Sequence, residues 1–109
     1  MLKIAANGEI TLTRGDTARL TVTLKDDAGQ PYTVQNDDVV TLTVKKEYED
    51  ETALIEKKVT GGNTFHIKPE DTKGLAFGKY KYDVQVTTAD GDNYTVLDDK
   101  TFTIAKEVG

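Results

Sequence analysis

In 109 residues the chain has no cysteine, no tryptophan and no serine, and it has two prolines, one methionine and one histidine. Without cysteine, disulfides, zinc–thiolate sites, iron–sulfur ligation and thiol nucleophiles are excluded together. Without serine there is no Ser–His–Asp arrangement. An acyl-transfer nucleophile would have to be a threonine or a lysine, and nothing marks one out. No segment has the length and apolarity to span a bilayer. The opening stretch, Met1 to Ala6, gives way to Asn7-Gly8 before any run of signal-peptide length develops, so cytoplasmic synthesis is the expectation. A Gly-rich phosphate loop is also missing. Positive charge is scarce too: 14 basic residues stand against 19 acidic ones, a formal net charge of -5. The acidic excess gathers at residues 47–51, and no basic stripe offers itself to phosphates, which argues against a nucleic-acid partner.

The positive signal is alternation. In residues 78–88 Tyr80, Tyr82, Val84 and Val86 share one face, while Lys79, Lys81, Asp83 and Gln85 share the other. A period of two over eight residues is a half-buried strand that must pack against a second layer. Similar patterns recur along the chain. Ile10 and Leu12 pair, then Ala18, Leu20, Val22 and Leu24, then Val40, Leu42 and Val44. Further on come Ile55 with Val59, Phe65 with Ile67, and Phe102 with Ile104. Turn formers separate them at residues 14–16, 26–31, 36–38, 61–63 and 89–92. Residues 32–34 can form only a short edge segment after Pro31. A shift of phase between Val96 and Phe102 predicts a bulge within residues 97–100, and residues 106–109 are expected to fray. Seven to eight short antiparallel strands at spacings of roughly 8–12 residues predict one all-β domain, a sandwich over residues 1–109 with an ordered core of about 9–105.

Local details narrow the type. Immunoglobulin-like domains carry a short helical turn before strand F, then a tyrosine two residues before the second cysteine of their inter-sheet bridge. Pro69-Glu-Asp-Thr72 resembles that turn, Tyr80 stands in the tyrosine's place and Tyr82 in the cysteine's. The first cysteine's place falls near Leu20 or Val22, and Leu42 replaces the missing tryptophan. The expectation is an immunoglobulin-like β-sandwich with no disulfide.

Each candidate site has a plainer structural reading. Arg14-Gly15-Asp16 spells an integrin-binding tripeptide, but three-letter matches arise readily by chance and a Gly-centred turn between two strands is the preferred reading. Asp90-Gly91-Asp92-Asn93 resembles part of a calcium loop without its distal glutamate, and it is also a hairpin signature. The adjacent acids Asp26-Asp27, Asp37-Asp38 and Asp98-Asp99 point to opposite sides of an extended chain, so they suit solubility better than acid–base chemistry. His66 lies between two inward residues, hence on the wetter face, and no second metal ligand accompanies it. Tyr48 and Tyr94 are placed for protein or sugar contacts, or to cap the edge of the sandwich. No catalytic, cofactor-binding or metal residue is assigned, no cofactor is required, and no enzyme activity is expected.

Taken whole, several runs carry a resemblance: Ile10 to Ala18, Gly29 to Tyr32, Val40 to Lys46, Phe65 to Thr72 and Gly78 to Val86. The chain resembles the short immunoglobulin-like proteins encoded in prophages of Gram-positive gut bacteria, which are related to the N-terminal domain of phage baseplate upper proteins. The likeness runs from about Ile10 to Ile104. It implies a virion structural or accessory component, made in the bacterial host's cytoplasm and assembled through sheet edges and loops against other tail or baseplate proteins. It brings no catalytic residues with it. The alternative is a carbohydrate-binding or adhesin-type immunoglobulin-like module of a bacterial surface protein. Residues 32–34 and the strand at 53–60 are the edges expected to dock.

Overall fold

The computed structural model describes residues 2–4, 9–24, 30–47 and 51–106, with residues 2–4 and 96–99 described by their backbone. The elements are β1 (Leu2–Ile4), β2 (Ile10–Thr13), β3 (Ala18–Thr21), β4 (Val39–Lys45), β5 (Ile55–Thr60), β6 (Thr64–Ile67), α1 (Pro69–Lys73), β7 (Gly78–Thr87) and β8 (Asn93–Ala105). They form an all-β fold: a six-stranded mixed sheet in the order β1-β2-β8-β7-β4-β5 and a two-stranded sheet of β3 and β6.

The alternating stretch became β7, the strand flanked on both sides by long partners. It opposes β4 from Val39↔Thr87 to Lys45↔Lys81 and β8 from Gly78↔Ile104 to Thr87↔Asn93. The dry face expected from the sequence is dry. Tyr80, Tyr82, Val84 and Val86 are buried with Val40, Leu42 and Val44 of β4 and Phe102 and Ile104 of β8. Leu20, Val22 and Leu24 join them with Phe65 and Ile67, so residues of both sheets belong to one hydrophobic cluster. Tyr82 sets its ring edge-on to Phe102 with centroids 6.3 Å apart. Burial pushes the Tyr82 phenol above its ordinary pKa.

Register irregularities between Tyr82 and Gln85 against β8 place the extra residues of β8 where the phase shift predicted a bulge. The turn before β7 is helical, as expected, with proline in the first turn and Glu70 and Asp71 at its positive end.

Three expectations are corrected. The sheet is not wholly antiparallel: β2 runs parallel to β8, from Ile10↔Phe102 to Thr13↔Ala105. The chain leaves β2 for the small sheet and re-enters beside it only at its last strand, so the direction of that pair is set by the whole topology. β1 pairs antiparallel to β2 although nothing pointed to it, because three residues are too few to display a period. Residues 32–34 lie outside the strands: Pro31 makes a single bridge, and Tyr32 and Val34 pack against the core beside it. Most of the turn read at 26–31 and most of the tail read at 106–109 lie outside the described residues.

Candidate functional site

Two ends and several edges hold the residues that the sequence singled out. At one end, the Arg14-Gly15-Asp16 turn joins β2 to β3. Gly15 adopts φ 84°, a conformation that side chains disfavour. Its N–H donates to Thr72 Oγ1 at 2.8 Å, and Thr72 is wholly buried within α1. Arg14 Nη1 donates to Leu75 O at 3.4 Å, and the guanidinium lies 4.1 Å from the centre of the Phe77 ring. The tripeptide is thus held against α1 and the segment after it. An integrin ligand needs its cation and carboxylate splayed away from the body, so the structural reading fits this geometry.

Tyr80 rises from β7 at the same end and donates its hydroxyl to Ala76 O at 2.7 Å. Lys46 Nζ stands 4.8 Å from the centre of the Tyr80 ring.

At the opposite end, Asp38 contradicts its reading as a solubilising turn residue. It is buried at 3% exposure and accepts the Tyr32 hydroxyl at 2.5 Å and the Gln35 N–H at 2.9 Å. The Tyr32 hydrogen bond, with that of Gln35 behind it, holds the Asp38 carboxyl below its usual range against the opposing effect of burial. The same bond raises the Tyr32 phenol, helped by burial. Asp38 also takes the Gly61 N–H on its carbonyl at 2.8 Å, tying the 36–38 turn to the turn between β5 and β6. A Cβ on Gly61 would come within 3.1 Å of Asn36 O, and φ there is 73°, which accounts for glycine. Sequence reasoning missed this cluster; an aspartate six residues after a tyrosine, across a turn, is too weak a signal to act on.

Residues 88–92 form the expected hairpin. Gly91 N–H donates to Thr88 O and Thr88 N–H to Asp92 O, both at 2.9 Å, and Gly91 has φ 90°. Tyr94 follows, 52% exposed, with its hydroxyl 3.5 Å from Asp92 Oδ2. Tyr48, Asp26 and Asp27 lie outside the described residues, and Asp98 and Asp99 are described by backbone alone.

His66 is exposed on β6, opposite Arg19 of β3, as its alternation implied. At the far edge of the large sheet, β5 turns Lys57 inward beside Leu42, and Lys57 Nζ meets Asp71 Oδ2 at 2.8 Å. Asp71 also accepts the Lys68 N–H at 2.8 Å. Burial opposes ionisation of Asp71, but Lys57 and the Lys68 N–H outweigh it and leave the carboxyl below its usual range. A shallow hollow lined by Thr43, Lys45, Lys81, Tyr82 and Asp83 has room for about one water molecule. Among the described residues no three histidine, aspartate or glutamate side chains gather as a metal site requires. No helix among them is long and apolar enough to cross a membrane.

The contacts that the geometry brings together are therefore braces: Tyr32 to Asp38, the Gly15 N–H to Thr72 and Tyr80 to the Ala76 carbonyl at turns, and Lys57 to Asp71 between β5 and α1. No protein-family model matches the chain, and no curated protein matches it.

Proposed function

We propose that the chain is a non-catalytic structural or assembly module, of the phage tail or baseplate type, built on an immunoglobulin-like β-sandwich and acting through protein–protein contacts. The fold part of this reading is supported by the helical turn before β7, the corner bond from Tyr80 and the separation of β3 and β6 from β2, β8, β7 and β4. The functional part is carried by one observation: the smaller sheet has only two strands, so each keeps an edge that no described strand pairs. Backbone edges are where another chain adds most directly. Such a module would be made in the host cytoplasm and leave it within the assembled virion.

The test is reconstitution. The purified chain, mixed with tail and baseplate proteins encoded beside it, is expected to form a stoichiometric complex with one of them by size-exclusion chromatography with light scattering. Failure to bind any of them, or coding sequences unrelated to tails on both sides, would count decisively against it. The exposed Tyr94 beside Asp92 favours a second reading as a carbohydrate-binding or adhesin module. Screening on a glycan array decides that reading, and an array without hits removes it.

A further inference from the structure

We infer that the free edge of β3, residues 18–24, is the docking edge, and that it takes an extended acidic strand of a partner protein. This rests on the assembly reading above and names the surface and the chemistry of its partner.

The direction of the free backbone groups follows from the ladder. β3 opposes β6 with Ala18↔Ile67, Arg19↔His66, Leu20↔Phe65 and Thr21↔Thr64. Beyond it Val22 N–H donates to Asn63 O at 3.1 Å, and Asn63 Nδ2 donates back to Val22 O at 2.6 Å. In an antiparallel ladder alternate residues turn their backbone groups to the same neighbour. Ala18, Leu20 and Val22 therefore face β6, while Arg19, Thr21 and Thr23 turn their N–H and C=O groups outward. Among the described residues no strand pairs on that side.

Natural edges are blunted by proline, lysine, a bulge or a charge turned inward. The β5 edge has the last of these in Lys57, which makes it a poor docking strand despite its length. Residues 18–24 have none. Ala18, Leu20, Val22 and Leu24 are buried and apolar, and Arg19, Thr21 and Thr23 are exposed in strict alternation. The run is also extended beyond its paired part, so it can template a full-length strand.

Charge selects the occupant. Residues 17–24 and 64–68 carry Arg19, His66 and Lys68 and no acid, in a chain with 19 acidic residues. A strand added to β3 would lie about 4.8 Å away and set its outward side chains beside Arg19. Acidic side chains there complement the face. A second copy of this chain on the same edge supplies no acid at the seam and brings a second net charge of -5.

The experiment uses a synthetic peptide alternating valine and glutamate, with a valine–lysine peptide as control, followed by NMR and amide exchange on the whole chain. The glutamate peptide is expected to slow exchange of the Arg19, Thr21 and Thr23 amides and the lysine peptide to leave them unchanged. Thr21→Pro removes an N–H that the β3–β6 ladder does not use, and should weaken binding by about tenfold or more. Arg19→Glu should weaken it comparably while leaving the backbone and the melting temperature alone, which covers the case in which the proline variant unfolds. Protection on β5 instead, equal binding of both peptides, no binding, or a wild-type dimer abolished by Thr21→Pro would each overturn the inference. The wild type and Arg19→Glu are then compared in the reconstitution with tail proteins. A complex that forms equally well with both sinks the edge assignment and leaves the assembly role standing, whereas no complex with the wild type sinks the role itself.

Discussion

The two sheets of this molecule bury their inner faces with unequal means. In the large sheet, β7 has a ladder on each side, and every inward residue of β4 and β7 between Val40 and Val44 and between Tyr80 and Val86 is buried. The small sheet has one ladder of four residue pairs. What holds it down is apolar insertion from one strand pair together with side-chain ties at its ends: Asn63 to Val22, Thr21 to Thr64 across the ladder, and Thr72 to the turn preceding β3. A sheet braced by backbone on both sides tolerates the loss of a single contact better than one braced on one side. Among the described residues both β3 and β5 keep an unpaired edge, and β5 alone turns a charge inward, Lys57 paired with Asp71.

Phe65 and Phe102 make the sharpest test of that difference, since both are wholly buried and one belongs to each sheet. Truncating either to alanine should cost about 3–5 kcal/mol of stability, read from denaturant unfolding. The variants should part company in hydrogen exchange. Phe65→Ala is expected to release the Leu20 and Ile67 amides well before that of Val84, while Phe102→Ala lowers protection across both sheets together. Equal, global loss in both variants would mean that the sheets stand or fall as one unit.

A smaller matched pair probes the ties. Asn63→Ala removes the bond to Val22 O within a buried strand continuation and should cost about 1–2 kcal/mol. Tyr80→Phe removes the bond to Ala76 O, but Ala76 is exposed and its carbonyl can take a water, so about 1 kcal/mol is expected. A larger loss at Tyr80 than at Asn63 would reverse the ranking of the two sheets.

The guarded edge can be unguarded. Lys57→Leu replaces an inward charge by an apolar side chain but leaves half-buried Asp71 without its cation, so a loss of about 1 kcal/mol or somewhat more is expected. The measurable consequence is association, with sedimentation velocity showing stronger concentration-dependent oligomerisation than in the wild type. A Lys57→Leu variant that stays monomeric at high concentration would show that the charge is not what keeps β5 unpaired.

Much of the large sheet was legible in the sequence because its strands are long enough to show a period. The run from Tyr80 to Val86, the run from Val40 to Val44, the helical turn at Pro69 and the phase shift after Val96 each led to the element observed. What stayed hidden depends on contacts between distant residues. The parallel pairing of β2 with β8 joins segments from the two ends of the chain, and no local pattern encodes it. Asp38 reads as one more acid in a turn until Tyr32 folds onto it. Lys57 falls on the face of Ile55 and Val59 by alternation alone, but its partner Asp71 lies on α1, and no local pattern joins the two. Residues 53–60 accordingly read as an open edge.

The smallest expected effect is confined to acid and belongs to the end of the molecule where Asp38 ties the turns together. The Tyr32 hydroxyl, then the Gln35 N–H, hold the Asp38 carboxyl below its ordinary value of 3.8. The folded-state pKa is therefore lower than the unfolded one, and the carboxylate's contribution is complete above the unfolded value and lost as pH falls through the folded one. Asp38→Asn removes it. The gap in melting temperature between wild type and Asp38→Asn should be constant from about pH 5 to about pH 8 and close below about pH 4. Tyr32 behaves in the opposite sense. Its pKa is raised above 10.0, first by the hydrogen bond to Asp38, so its contribution persists below that value and is lost only as pH rises through the raised one. A Tyr32→Phe variant should therefore keep its gap from wild type at neutral pH and lose it in alkali. If the Asp38→Asn gap survived undiminished at about pH 2, the neutral side chain would suffice to hold the turn, and the charge on Asp38 would have no part in fixing this end of the fold.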